Sequence, residues 1–138
     1  MGLDQYAYAA AKAGQYEEFW DGGNWDKDTG DYVNPNVSKP VEIAYWRKHP
    51  NLQGWMENLW RSKGGNGTFN GVELELTRED LEVLEQDILA EQVSSLDTTG
   101  SFFGDPSDEY YREQDLKFIR EAKADLFMGL KVFYNSSW

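Results

Sequence analysis

Val72-Glu73-Leu74-Glu75-Leu76-Thr77-Arg78-Glu79-Asp80-Leu81-Glu82-Val83-Leu84 changes its hydrophobic period halfway along, and that change decides the fold class. From Phe69 to Leu76, Val72, Leu74 and Leu76 alternate with Glu73 and Glu75, which marks a strand with one wet face. Thr77 then offers an N-cap, with Asp80 three residues on in a near capping box. Leu81, Leu84 and Ile88 fall on one stripe, so the spacing predicts a helix over about 78–93. A strand feeding a helix, neither apolar on all sides, points to an α+β domain.

Upstream, Gly64-Gly65-Asn66-Gly67 ends a helical pattern carried by Leu52, Trp55, Met56 and Leu59. That pattern is expected to begin at Val41, with Pro50 kinking it or starting a second helix. Residues 21–40, crowded with Gly, Pro, Asn and Asp, read as a long surface loop, and Leu3–Ala11 as a short strand. Downstream of a loop at 94–105, Asp105-Pro106 is an N-cap with Pro at the first helical position, and Tyr111, Phe118, Ile119, Ala122 and Leu126 form the apolar side of the helix it opens. Gly129 caps that helix, and Val132-Phe133-Tyr134 begins a last strand. The expectation is a single α+β domain over 1–138, in which a small three-stranded, mainly antiparallel sheet packs with three to four helices.

Composition narrows the function. Six Trp, eight Tyr and seven Phe argue for a folded chain. The absence of cysteine removes disulfides, thiol ligands and thiol nucleophiles. No apolar run reaches the length of a membrane span and no basic, apolar leader opens the chain, so a cytosolic location is expected. The net charge of −12 disfavours direct binding to nucleic acid or to an anionic membrane, both polyanions. Residues 1–63 carry seven Lys/Arg against nine Asp/Glu, and residues 64–138 six against sixteen, so the negative field belongs to the second half.

Candidate chemistry is sparse. His49 is the lone histidine, which leaves no two-His metal set and no confident Ser/His/Asp triad. Asp26-Lys27-Asp28-Thr29-Gly30-Asp31 resembles a calcium loop, but its glycine comes one place early and Val37 stands where the bidentate Glu belongs. Ser62–Thr68 has the small residues of a phosphate loop with its lysine on the wrong side. No metal, cofactor or catalytic residue is therefore assigned. Tyr45, Trp46, Arg47 and Lys48, with Tyr111, form a basic and aromatic set suited to a nucleotide-like or phosphorylated ligand through charge and stacking. Glu82, Glu85 and Glu91 on the acidic helix, the Phe102-Phe103 pair and Trp138 are the candidate contacts for a protein partner.

Several motifs together resemble a family of small proteins of tailed-phage and prophage genomes. They are the Met1–Tyr6 start, Tyr45-Trp46-Arg47-Lys48 with Trp55, Gly100-Ser101-Phe102-Phe103-Gly104 with Asp108–Tyr111, and the Phe133–Trp138 end. The opening Met1–Ala11 is most similar to variants from phages of marine cyanobacteria, whereas the loop 21–40 and Pro50 depart from the commoner pattern. Members often carry the label phosphoglycerate kinase, a much longer two-domain enzyme whose glycine-rich nucleotide site this chain lacks, and that label is rejected here. The resemblance implies a phage accessory protein in the host cytoplasm and transfers no catalytic role. The leading expectation is a non-enzymatic acidic protein that binds a host or phage macromolecule, with nucleic-acid mimicry as one version of it. The alternative is a protein that binds or sequesters a small ligand.

Overall fold

The computed structural model describes residues 2–89 and 106–138, with side chains from 111 onward in the second stretch. In chain order the elements are β1 (Asp4–Ala10), α1 (Gln15–Gly22), β2 (Asn24–Asp26), β3 (Asp31–Val33), β4 (Val41–Arg47), α2 (Pro50–Ser62), β5 (Leu74–Leu76), α3 (Arg78–Leu89), α4 (Pro106–Phe127) and β6 (Lys131–Ser137). The fold is α+β. Among the described residues its main sheet has four antiparallel strands in the order β4-β1-β6-β5, one more than expected, and β2 and β3 form a separate two-stranded ribbon.

Alternation along the strands sorts side chains onto two faces. Ala7, Trp46, Leu74, Leu76, Val132 and Tyr134 lie on one face, packed with Leu52 and Met56 of α2, Leu81, Leu84 and Ile88 of α3, and Phe118, Ile119 and Ala122 of α4. Tyr6, Tyr8, Ala10 and Phe133 lie on the other, where Tyr16 of α1 packs against them. The register pairs Tyr6 with Tyr45 and with Asn135, and Tyr8 with Glu42 and Phe133, so these residues share that second face.

Three expectations are corrected. Val41–Arg47 is an edge strand and not the start of a helix. It hides its period because a register shift between Ala7 and Tyr8 leaves Ile43 as an extra residue against β1. The helix starts at Pro50, with His49 at the N-cap. The segment 21–40 is not all loop, since α1 ends within it and the β2–β3 ribbon fills its middle. The strand expected from Phe69 is confined to Leu74–Leu76, because Asn70 and Gly71 bend the chain and Gly71 sits at φ 70°.

Gly14 explains how α1 starts without a polar cap. Its φ of 80° turns the chain, and its N–H donates to Glu73 Oε1 at 2.9 Å. Gln15 then holds the turn on both sides, accepting from Ala11 N at 2.9 Å and donating to Ser38 O at 2.8 Å.

Candidate functional site

The basic and aromatic set picked out in the sequence does not converge. Trp46 is 1% exposed and belongs to the core, edge-on to Phe118 at 5.1 Å, with its indole N–H donating to Asp115 Oδ1 at 2.8 Å. Tyr45 points to the opposite face of the sheet, where its hydroxyl donates to Asp4 Oδ1 at 2.5 Å, a bond that raises its pKa. Arg47 and Lys48 are exposed, and Lys48 sits at φ 63° in the turn between β4 and α2. Tyr111 stacks on His49 at 4.3 Å and donates to Arg47 O at 2.5 Å, so it closes the β4–α2 turn instead of lining a pocket with Trp46.

His49 is 1% exposed, with Nε2 3.0 Å from Asp115 Oδ2. Gln5, fully buried, accepts from His49 N at 2.7 Å and donates to His49 O and to the Tyr134 hydroxyl, each at 2.9 Å. This network locks the start of α2 to the central strands. Buried polar groups need such partners, and their full pairing gives the cluster a structural role.

The partner candidates are scattered. Glu82 pairs with Arg78 at 3.2 Å, and Glu85 with Lys123 at 3.2 Å. Glu91, Phe102 and Phe103 lie outside the described residues. Trp138, about half-exposed, does not stand free. Its indole N–H donates to Phe69 O at 2.8 Å and its backbone N–H to Asn70 Oδ1 at 3.2 Å, in the segment whose Gly71 N–H donates to Ser136 O of β6.

Side chains from separate elements do converge on the second face of the sheet. A cleft of about 300 Å³ is lined by Tyr6 and Tyr8 of β1, Tyr16 and Trp20 of α1, Lys39 and Pro40, and Glu42 of β4. Tyr8 and Tyr16 stack at 4.5 Å, Tyr6 lies 5.9 Å from Tyr16, and Trp20 lies 6.1 Å from Tyr16. The Tyr8 hydroxyl donates to Glu73 Oε2 at 2.6 Å, and Glu73 also holds Gly14, so one carboxylate sets both the floor of the cleft and the origin of α1. Burial, then hydrogen bonding to Glu73 and its charge, push the Tyr8 phenol well up. Burial, Tyr16 and the charge of Glu42 push Tyr6 up to about 12. Both rings are therefore protonated and uncharged at neutral pH.

The charged groups of the cleft differ in how they are satisfied. Lys39 Nζ reaches both oxygens of Asp31, at 2.9 and 3.1 Å, and lies 5.9 Å over the Trp20 ring. Lys39 lowers the pKa of that carboxyl. The Glu42 carboxylate makes no hydrogen bond or ion pair among the described residues. Asn135, in register with Tyr6, keeps Oδ1 buried without a donor.

Another depression, of about 480 Å³, is lined among the described residues by Glu113, Gln114, Leu116, Lys117 and Arg120, all from α4. Among the described residues no three His, Asp or Glu side chains converge as a metal site would need. No helix among them is long and apolar enough to cross a membrane. Comparison with protein-family models, with curated proteins and with solved structures finds no significant match.

None of the cleft residues was singled out as a site in the sequence, although two signals were present. Tyr6 and Tyr8 alternate with Ala7 and Ala9, which puts both rings on one face of a strand. Tyr16 and Trp20 stand four apart, the spacing of neighbours on one helical face. The approach of Lys39 and Glu42 depends on the path of the ribbon and left no local trace.

Proposed function

We propose that this protein works by binding, not by catalysis, and that it holds a small aromatic ligand in the tyrosine cleft. The observation that carries the reading is the convergence of four aromatic rings from β1 and α1 with an exposed carboxylate from β4, unpaired among the described residues, around about 300 Å³ of space. Concave, largely apolar sites with a few placed polar groups are the usual form of a ligand site. Support for a non-enzymatic role comes from His49, whose ring is enclosed by the core and occupied by Asp115 and Tyr111. The context we propose, a phage accessory protein in the host cytoplasm, rests on the motif resemblance alone.

The test is a mixture of small aromatic compounds titrated into ¹⁵N-labelled protein. Shifts are expected to gather at Tyr6, Tyr16, Trp20 and Glu42, to disappear in Trp20→Ala, and to leave the bound compounds chemically unchanged by mass spectrometry. Shifts that map elsewhere, or turnover of a bound compound, would sink the proposal.

A second reading, an acidic surface for a host or phage macromolecule, is favoured by the net charge of −12. The pairing of Glu82 and Glu85 within the chain weakens those two as its contacts. Capture of a partner that survives charge neutralisation on α3 and raised salt would remove its electrostatic basis.

A further inference from the structure

We infer that the ligand of the tyrosine cleft is an aromatic ammonium ion, a compact ring joined by a short chain to a protonated amine. This rests on the reading of the cleft as a binding site and adds the charge and size of what it holds.

Three features select that chemistry. The first is the ring set. Aromatic faces carry negative charge density, so Tyr6, Tyr16 and Trp20 attract a cation as well as stacking on a ligand ring. The protein already uses one of them so, since Lys39 Nζ lies 5.9 Å over Trp20.

The second is the balance of fixed charge. The ammonium of Lys39 is offset by both oxygens of Asp31, and Lys12, just before α1, is met by Glu18 at 3.1 Å. Glu42 is the cleft carboxylate left without a counter-charge among the described residues, so the site faces its ligand with about one net negative charge. A neutral aromatic ligand would gain nothing from the charge of Glu42, and an anion would have to draw Lys39 away from Asp31.

The third is size. About 300 Å³ lies at the small end of ligand pockets and suits a single ring with a short tail. The surrounding protein, at a net charge of −12, concentrates cations near its surface and favours their approach.

The experiment is a calorimetric and NMR titration with three compounds of matched shape: phenethylamine (cation), 2-phenylethanol (neutral) and phenylacetate (anion). Phenethylamine is expected to bind about tenfold more tightly than 2-phenylethanol, the sum of one exposed ion pair and one cation–π contact. Phenylacetate should bind most weakly. Glu42 is exposed, so Glu42→Gln folds, and it should lower phenethylamine affinity up to about fivefold while leaving 2-phenylethanol nearly unchanged.

Equal affinities for all three, or no effect of Glu42→Gln, would overturn the ammonium assignment and leave the cleft an aromatic slot. Tightest binding of phenylacetate would overturn it in favour of Lys39 as the anchor. If none of the three moved the Trp20 indole resonance, this inference and the binding role of the cleft would both fall.

Discussion

Replacing Glu73 with Ala removes a single carboxylate that joins three parts of the molecule. It accepts from Tyr8 Oη at 2.6 Å and from Gly14 N at 2.9 Å, so it ties the approach to β5, the floor of the cleft and the start of α1 together. Hydrogen bonds to a charged group contribute about 1.5–3 kcal/mol each, and partial exposure puts this pair at the low end, about 3 kcal/mol together. Against a total of about 5–15 kcal/mol for a domain, that is a large fraction. In urea the midpoint should fall by about 1–2 M.

A second consequence follows in alkali. Tyr6 and Tyr8 both titrate above the ordinary phenol value of 10.0 when folded. The folded chain therefore keeps protons that the unfolded chain releases first. Their contribution to stability is complete below pH 10.0 and is lost as pH rises, through about 12 for Tyr6. For Tyr6 this amounts to about 1 kcal/mol once its partial exposure is allowed for. In Glu73→Ala, Tyr8 loses a bond and a charge that raise it, so the alkaline loss of stability should be shallower than in the parent. Urea titrations at neutral pH and at about pH 11, with phenolate absorbance followed in parallel, measure both effects. A change at neutral pH below about 0.5 kcal/mol, with the amide resonances of α1 unmoved, would refute the reasoning.

Gln5→Leu should cost about 2–4 kcal/mol, because it removes three buried bonds and leaves His49 N–H without its acceptor; chemical denaturation at parental stability would contradict this. Lys48→Gly should raise the melting temperature, by up to about 1 kcal/mol in free energy, because Lys48 holds a φ of 63° that glycine adopts without strain. At Asp80, burial pushes the carboxyl pKa up, but bonds from Lys63 and Thr77 with the charge of Lys63 outweigh it and bring it below 3.8. Its contribution is present above 3.8 and lost as pH falls, so Lys63→Met should flatten the acid limb of a stability–pH curve, and an unchanged limb would exclude the pairing.

The elements legible in the sequence are those whose periodicity matches their burial. Leu81, Leu84 and Ile88 form the buried stripe of α3, and Leu52, Trp55 and Met56 that of α2. Pro106 opens α4, and Gly129 follows its end at φ 92°. The strand character of β4 is hidden because Ile43 and Ala44 are both half-buried, Tyr45 is exposed and the bulge breaks alternation, so Ile43 and Trp46, three apart, imitate a helical step. α1 was missed because it has eight residues and a glycine N-cap with no polar side chain to announce it. The cleft stayed hidden for a related reason. Its strand and helix rings lie close in sequence, but tertiary bonds such as those to Glu73 bring them face to face.

The central strand pair of the sheet joins residues 4–10 to residues 131–137, with Asp4 opposite Ser137. Among the described residues no other strand bridges them, because β4 and β5 each pair with only one of these two strands. Folding must therefore close a loop of nearly the whole chain before the central ladder forms, an entropy cost that slows that step. A circular permutant that links the end of β6 directly to the start of β1 would turn that pair into a local hairpin. It should fold faster than the parent while keeping the same tyrosine cleft.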